Sequence, residues 1–207
     1  MVLLDSYADA AAYKAALKGT SSADDAVITN RLDATARLID GELNLEAGAF
    51  NVDAAAVRYF DGNGEPILKL PPFTTSTTVE VDTNIDGTFN QTVTASNRED
   101  RPYNVAARSE PFTAIRLLHF AANTELTKWT KGLRTVKITA DWGWPAVPEL
   151  IRDLNIALAH DLWDLMRAGS TLTLAQIDIG VRLTPETNSL LKRAMRVFGP
   201  SLAEVGF

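Results

Sequence analysis

The sequence contains no cysteine in 207 residues. Disulfide frameworks, thiol nucleophiles and cysteine–zinc sites are therefore excluded, and a reducing compartment is permitted. Only two histidines occur, His119 and His160, and neither belongs to a His-Glu-x-x-His pattern. Gly-x-Ser-x-Gly and the glycine-rich phosphate loop are missing as well. Asp61-Gly-Asn-Gly64 lacks the Lys-Ser/Thr that a nucleotide site requires. No apolar run is long enough to span a membrane. Met1-Val-Leu-Leu-Asp5 has neither the basic region nor the apolar length of a secretory signal. Positive charge is not in excess: the net charge is −6 and the pI about 5.0. Free nucleic acid is thus not expected as a high-affinity partner, because that binding depends on cations neutralising phosphates. There is no internal repeat.

A hydrophobic content of 46% and a charged content of 22% are ordinary for a globular protein. The length suits one core, or one core with an inserted module. The chain is organised around Trp142-Gly-Trp-Pro-Ala-Val-Pro148. Pro148 fits a first helical position, and Pro145 keeps the residues before it extended. Val147, Ile151, Leu154, Leu158, Leu162 and Leu165 then step by four and three, which predicts one face of a central helix. Trp163 and Met166 widen that face, and Gly169 is its expected C-terminal cap. Trp142 and Trp144 are read either as exposed binding anchors or as plugs at the joint between sheet and helix.

Upstream, Ser6 with Asp9 predicts a capped helix through the alanine-rich run to Leu17, stopped by Gly19. Ser21 or Ser22 opens a second helix to about Leu45, with Ile28, Leu32, Ile39 and Leu43 on one face and Val27 and Leu38 beside it. Arg31, Asp33, Arg37 and Asp40 fall outside that face. Residues 52–141 change texture to short strands broken by turns. The segments 57–60 and 67–70 read as a hairpin about Asp61-Gly-Asn-Gly64, ended by Pro71-Pro72. Val79 and Val81 alternate with Thr78 and Glu80, and Phe89, Gln91 and Val93 alternate again. Residues 96–108 read as a polar loop. Strands are expected at 115–119 and 133–140, the second with Val136 and Ile138 inward and Lys137 and Thr139 outward. Residues 171–183 read as extended or irregular. Thr184-Pro185-Glu186 opens a last helix with Leu190, Leu191, Ala194, Met195 and Phe198 on its apolar side, ended by Gly199-Pro200. The expected fold is α+β: a helical body from 1–51 and 142–207, carrying a C-terminal arm, with a mostly antiparallel β module inserted at 52–141.

Few residues offer chemistry. Asp82-Thr-Asn84-Ile-Asp86-Gly87 matches the first half of a calcium loop, but Val93 stands where the bidentate carboxylate would be. A hairpin loop using Asn, Asp and Gly for their turn conformations is the alternative. No catalytic residue, cofactor or further metal site is expected. Lys128, Lys131, Arg134 and Lys137 beside Trp129 form a basic cluster, read as a strand edge protected by lysines or as a footprint for an acidic partner. The Asp24/Asp25 and Asp161/Asp164 pairs fit helix capping or solvated faces.

Taken together, the chain resembles the head–tail connector adaptor family of tailed bacteriophages. The resemblance rests on Trp142-Gly-Trp-Pro-Ala-Val-Pro148 and the Ala157 to Trp163 run. It rests also on Arg58-Tyr-Phe-Asp-Gly62, Leu70-Pro-Pro-Phe73, Val79-Glu-Val-Asp82, Asp86-Gly87 and Pro111-Phe112 in that order, and on Thr184-Pro-Glu-Thr-Asn-Ser-Leu-Leu191. It implies a non-enzymatic virion protein, assembled in the host cytoplasm into a ring, usually of twelve copies. Such a ring lies under the portal protein at the capsid vertex, continues the DNA channel without sequence-specific DNA binding, and docks stopper or tail proteins. It implies a portal contact in the C-terminal segment, carried to Leu190, Arg193, Arg196, Phe198 and Phe207. The loop at Asn84, Asp86 and Thr88 is the expected inter-subunit or tail-side contact. Another neck or tail-completion protein, and a calcium-dependent β binding module on a helical base, are the competing readings.

Overall fold

Among the described residues each end of the chain contributes two helices, and the polypeptide between them forms a sheet. The computed structural model describes residues 6–17, 25–103, 105, 109–118, 126–167 and 183–203. Helices α1 (Ala10–Ala16) and α2 (Asp25–Glu42) come first. Strands β1 (Asp53–Gly62), β2 (Ile67–Val81), β3 (Gln91–Thr92), β4 (Arg98–Arg101), β5 (Phe112–Leu117) and β6 (Gly132–Trp142) follow, then α3 (Glu149–Arg167) and α4 (Pro185–Ala203). The protein is α+β with an antiparallel sheet. It divides into two units, Met1–Asn51 with Val147–Phe207, and Val52–Ala146.

In the helical unit, α3 buries Ile151, Leu154, Leu158, Ala159 and Leu162, the stripe its three-and-four spacing demands. Leu165 and Met166 have side chains outside the described residues, as does Gly169. On α2, Ile28, Leu32, Ala36 and Ile39 are buried, and Val27, expected beside them, is exposed. This helix stops at Glu42, short of Leu45, because Asn44 takes a left-handed backbone with φ 54°. Asp9 rather than Ser6 caps α1, accepting the Ala12 N–H at 2.6 Å. Ser6 instead donates to the Ala8 carbonyl. Gly19, Ser21, Ser22 and Asp24 lie outside the described residues. Phe50 stands edge-on to Tyr7 and to Phe198 of α4, with centroids 5.4 and 5.2 Å apart, so aromatic contacts join the two chain ends.

The sheet runs β1-β6-β2-β5-β4, with β3 also on β2. The expected hairpin between 57–60 and 67–70 does not form. β6 pairs with β1 on one side and with 73–81 of β2 on the other, Tyr59 and Glu80 each opposite Lys137, while 67–69 pair with β5. The turn after β1 is held by Asn63, whose amide donates to the Ile67 carbonyl at 2.8 Å and whose oxygen accepts the Glu65 N–H at 2.9 Å. Gly62 packs so closely on Thr130 that a Cβ there would sit 1.8 Å from the Thr130 oxygen.

Pro71 and Pro72 do not end β2. They fall in the register shift between Lys69 and Phe73, where β2 leaves β5 and takes up β6; a bulge tolerates the missing N–H. Part of the expected 96–108 loop is instead β4, paired with β5. The inward set Leu70, Phe73, Val79, Val81, Ile115, Val136, Ile138 and Ala140 is buried as the alternation of β2 and β6 predicts. Trp142 completes this core, between Phe60 and Phe73, with Nε1 donating to the Ala56 carbonyl at 2.8 Å. It is therefore neither an exposed anchor nor part of the helical unit. Trp144 is half-buried.

Candidate interaction surfaces

The start of α4 is fixed from α3. The buried Asp161 carboxylate accepts the Thr184 backbone N–H at 3.0 Å and its hydroxyl at 3.2 Å. Thr184 in turn caps the helix through Thr187. Thr187, Leu191, Ala194 and Phe198 form the buried face. Against expectation, α4 runs through Gly199 and Pro200 to Ala203. Ser189, Lys192, Arg193 and Arg196 point outward, with Met195 and Val197 exposed at the margins. Among the residues carried over by resemblance, Arg193 and Arg196 are exposed and Leu190 is half-buried. Phe198 is only 7% exposed and serves the core, so it is not a free contact. Phe207 lies outside the described residues.

Between the end of α1, the outer side of α3 and the first turn of α4 is a groove of about 350 Å³. Leu17, Ile156 and Ala157 form its apolar part, and Asp153, His160 and Glu186 its polar rim. His160 lies 3.7 Å from Asp164, one turn further along α3. Glu149 is paired with Arg152 at 3.3 Å.

The 82–88 loop is built around one carboxylate. Asp82, 3% exposed, accepts backbone N–H groups from Asn84 (3.1 Å), Ile85 (2.8 Å) and Asp86 (3.3 Å) on one oxygen, and from Gly87 (2.7 Å) on the other. Burial alone would raise its pKa, but the four N–H donors outweigh that and hold it below the usual carboxylate range. Both oxygens thus serve the turn, and Asp86 accepts the Thr88 N–H at 2.8 Å. The geometry is that of a turn closed on the Asp82 carboxylate. Asn84, Ile85, Asp86 and Thr88 are exposed. On the outer sheet face nearby, Lys137 pairs with Glu80 at 2.7 Å and Arg134 lies 4.8 Å over the Tyr59 ring. β6 is flanked on both sides, so Arg134 and Lys137 do not guard a strand edge as expected; Leu133 beside them is 81% exposed.

Three polar groups inside the two units escaped the sequence reading. Asp40, expected on the outer side of α2, is 3% exposed and accepts from Tyr7 Oη and the Gly48 N–H (2.9 Å), with Arg37 at 3.1 Å. Burial raises the pKa of Asp40, against the Tyr7, Gly48 and Arg37 interactions. Burial, together with the Asp40 hydrogen bond and charge, raises that of Tyr7. Asn155 is fully buried against α2. Arg98 of β4 is buried too, donating to the Val93 carbonyl at 2.8 Å and the Ser76 carbonyl at 2.9 Å. Among the described residues no group of three His, Asp or Glu side chains is placed to hold a metal. Among them, too, no helix is long and apolar enough to cross a membrane. His119 lies outside the described residues.

No protein-family model matches the chain, and no curated protein does. The chain is similar to several solved structures, among them two from gene transfer agent particles. One is a chain of the virion of a native gene transfer agent particle, with 21% identity over 88% of this chain and 86% of that one and a TM-score of 0.49. The other is from the neck of an empty gene transfer agent particle, with 19% identity, the same coverage and a TM-score of 0.46.

Proposed function

We propose that the protein is a non-enzymatic structural subunit of the neck of a tailed-phage or phage-like particle, a head–tail connector adaptor. In this reading, copies form a ring, twelve by resemblance, beneath the portal. The ring continues the DNA channel and gives the stopper or tail its seat. The observation that carries it is the ordered set of motifs from Arg58 to Leu191 that resembles that family across nearly the whole chain. The architecture is consistent with it. A helical unit made from both chain ends can form a wall, and a β unit held at two chain crossings can reach another layer.

Three surface features fit such a role. The outward side of α4, with Arg193 and Arg196, presents cations that have no ion-pair partner among the described residues. The loop at Asn84, Asp86 and Thr88 presents a preformed turn. The net charge of −6 lets DNA pass without adhering. A ring closes by heterologous contacts, which need two different sticky faces per subunit. The test is to mix the purified protein with the portal of the same particle and image the mixture by electron microscopy. A ring of copies seated on the portal is expected. A portal left bare at saturating protein contradicts the reading.

A further inference from the structure

We infer that the outward basic face of α4 docks into the acidic groove beside α3 of a second copy of this chain. This rests on the ring reading and names its subunit contact. The two surfaces are complementary in charge. Lys192, Arg193 and Arg196 are exposed on one side of α4, and none has a side-chain ion pair or hydrogen bond among the described residues. Arg152 lies 3.3 Å from Glu149 and 3.8 Å from the rim residue Asp153. Asp153 and Glu186 on the rim, with Glu149 and with Asp164 3.7 Å from His160, set four carboxylates against Arg152, so this surface stays acidic. The groove between them is apolar at Leu17, Ile156 and Ala157. Long Lys and Arg stems cover such a surface while their charged heads reach the rim.

One chain cannot make this contact with itself. Glu186 lines the groove from the first turn of α4, and Lys192, Arg193 and Arg196 project outward from the same rigid helix. The two faces differ, so the contact is heterologous and each copy offers one of each, as ring closure requires. It assigns Arg193 and Arg196 to the neighbouring copy rather than to the portal.

The test uses three full-length variants: R193E/R196E, D153K/D164K, and the chain carrying all four changes. Self-association is measured by sedimentation at low and high salt. Wild type associates, and salt weakens the association. Each two-site variant associates roughly a hundredfold more weakly, since like charges then face each other. The two variants mixed co-assemble, because the intact faces join and the two reversed faces then complement each other; that rescue also shows both are folded. The four-site chain regains assembly. The contact is overturned if either two-site variant assembles like wild type, if the mixture stays monomeric, if wild type is monomeric at every concentration, or if R193E/R196E loses only portal binding. Closed rings indifferent to these changes sink the contact and keep the ring reading. Open chains sensitive to them keep the contact and sink the ring.

Discussion

The side-chain amide of Asn155 and the hydroxyl of Thr35, 120 residues apart in sequence, lie 2.8 Å from each other between α3 and α2, both fully buried. The same Asn155 Nδ2 donates to the Leu32 carbonyl at 2.9 Å, and Thr35 Oγ1 reaches back to the Arg31 and Leu32 carbonyls. This polar clasp fixes which turn of α2 meets which turn of α3, where apolar packing alone tolerates sliding. Asn155→Ala removes both donors and leaves a cavity. It should destabilise the helical unit by about 2–3 kcal/mol. Thr35→Val should cost less, about 1 kcal/mol, because only the hydroxyl is lost. Urea unfolding of the single and double variants measures the coupling; additive effects would show that the contact is energetically idle.

Tyr7 and Asp40 set the pH response of the same unit. Tyr7 has a folded pKa above its ordinary value of about 10. Its contribution is therefore complete below that pH and is lost as pH rises beyond it, when the unfolded chain ionises and the folded chain does not. Asp40 has the opposite consequence. Its raised folded pKa is a penalty at neutral pH that is relieved as pH falls toward the ordinary carboxylate value of about 4. Tyr7→Phe takes a donor from a buried carboxylate and should cost about 1–3 kcal/mol at pH 7. It should also flatten the loss of stability above pH 10, measured by urea melts from pH 7 to 11. An unchanged alkaline slope would contradict the assignment.

Asp82 governs a loop rather than a core. Because its folded pKa is lowered, its contribution is present above the ordinary carboxylate range and is lost as pH falls through the lower folded value. Asp82→Ala should speed amide hydrogen exchange at Ile85 and Gly87 and leave β6 amides unchanged. Calorimetry with millimolar calcium should give no binding heat, since Val93 stands where the loop's bidentate carboxylate would be. Saturable heat lost in the Asp82→Ala variant would restore the calcium reading.

Asp161 holds the start of α4 and thereby the orientation of its basic face. Thr184→Ala removes the cap and should cost about 1 kcal/mol. Asp161→Ala removes the acceptor of both the Thr184 N–H and its hydroxyl, and should cost more. Exchange should then rise first in the 186–191 amides. Equal exchange along all of α4 would show that Asp161 does not anchor its first turn.

What was legible in the sequence was whatever repeated locally. Val136 and Ile138 against Lys137 and Thr139 gave β6, and Ile151 to Leu162 gave α3, because burial of one face imposes a period. What was hidden depended on partners far away. Arg98-Glu-Asp-Arg101 reads as loop because its charges are satisfied by Ser76, the Val93 carbonyl and each other. The 57–60 and 67–70 segments look like a hairpin, but the first pairs with β6 and the second with β5, both far along the chain. Pro71-Pro72 and Gly199-Pro200 look like stops, yet a bulge accommodates one pair and the last turn of α4 the other. At the candidate surfaces, Arg193 and Arg196 were legible as a basic helix end. The groove beside α3 was not, since Leu17, Asp153 and Glu186 come from three elements.

The central claim is that this chain is built to assemble with copies of itself at a portal. Native mass spectrometry of the protein, alone and with the cognate portal, tests it most directly. The account predicts a closed multiple of 22.5 kDa, twelvefold on the portal. A chain that remains a 22.5 kDa monomer in both samples would contradict it.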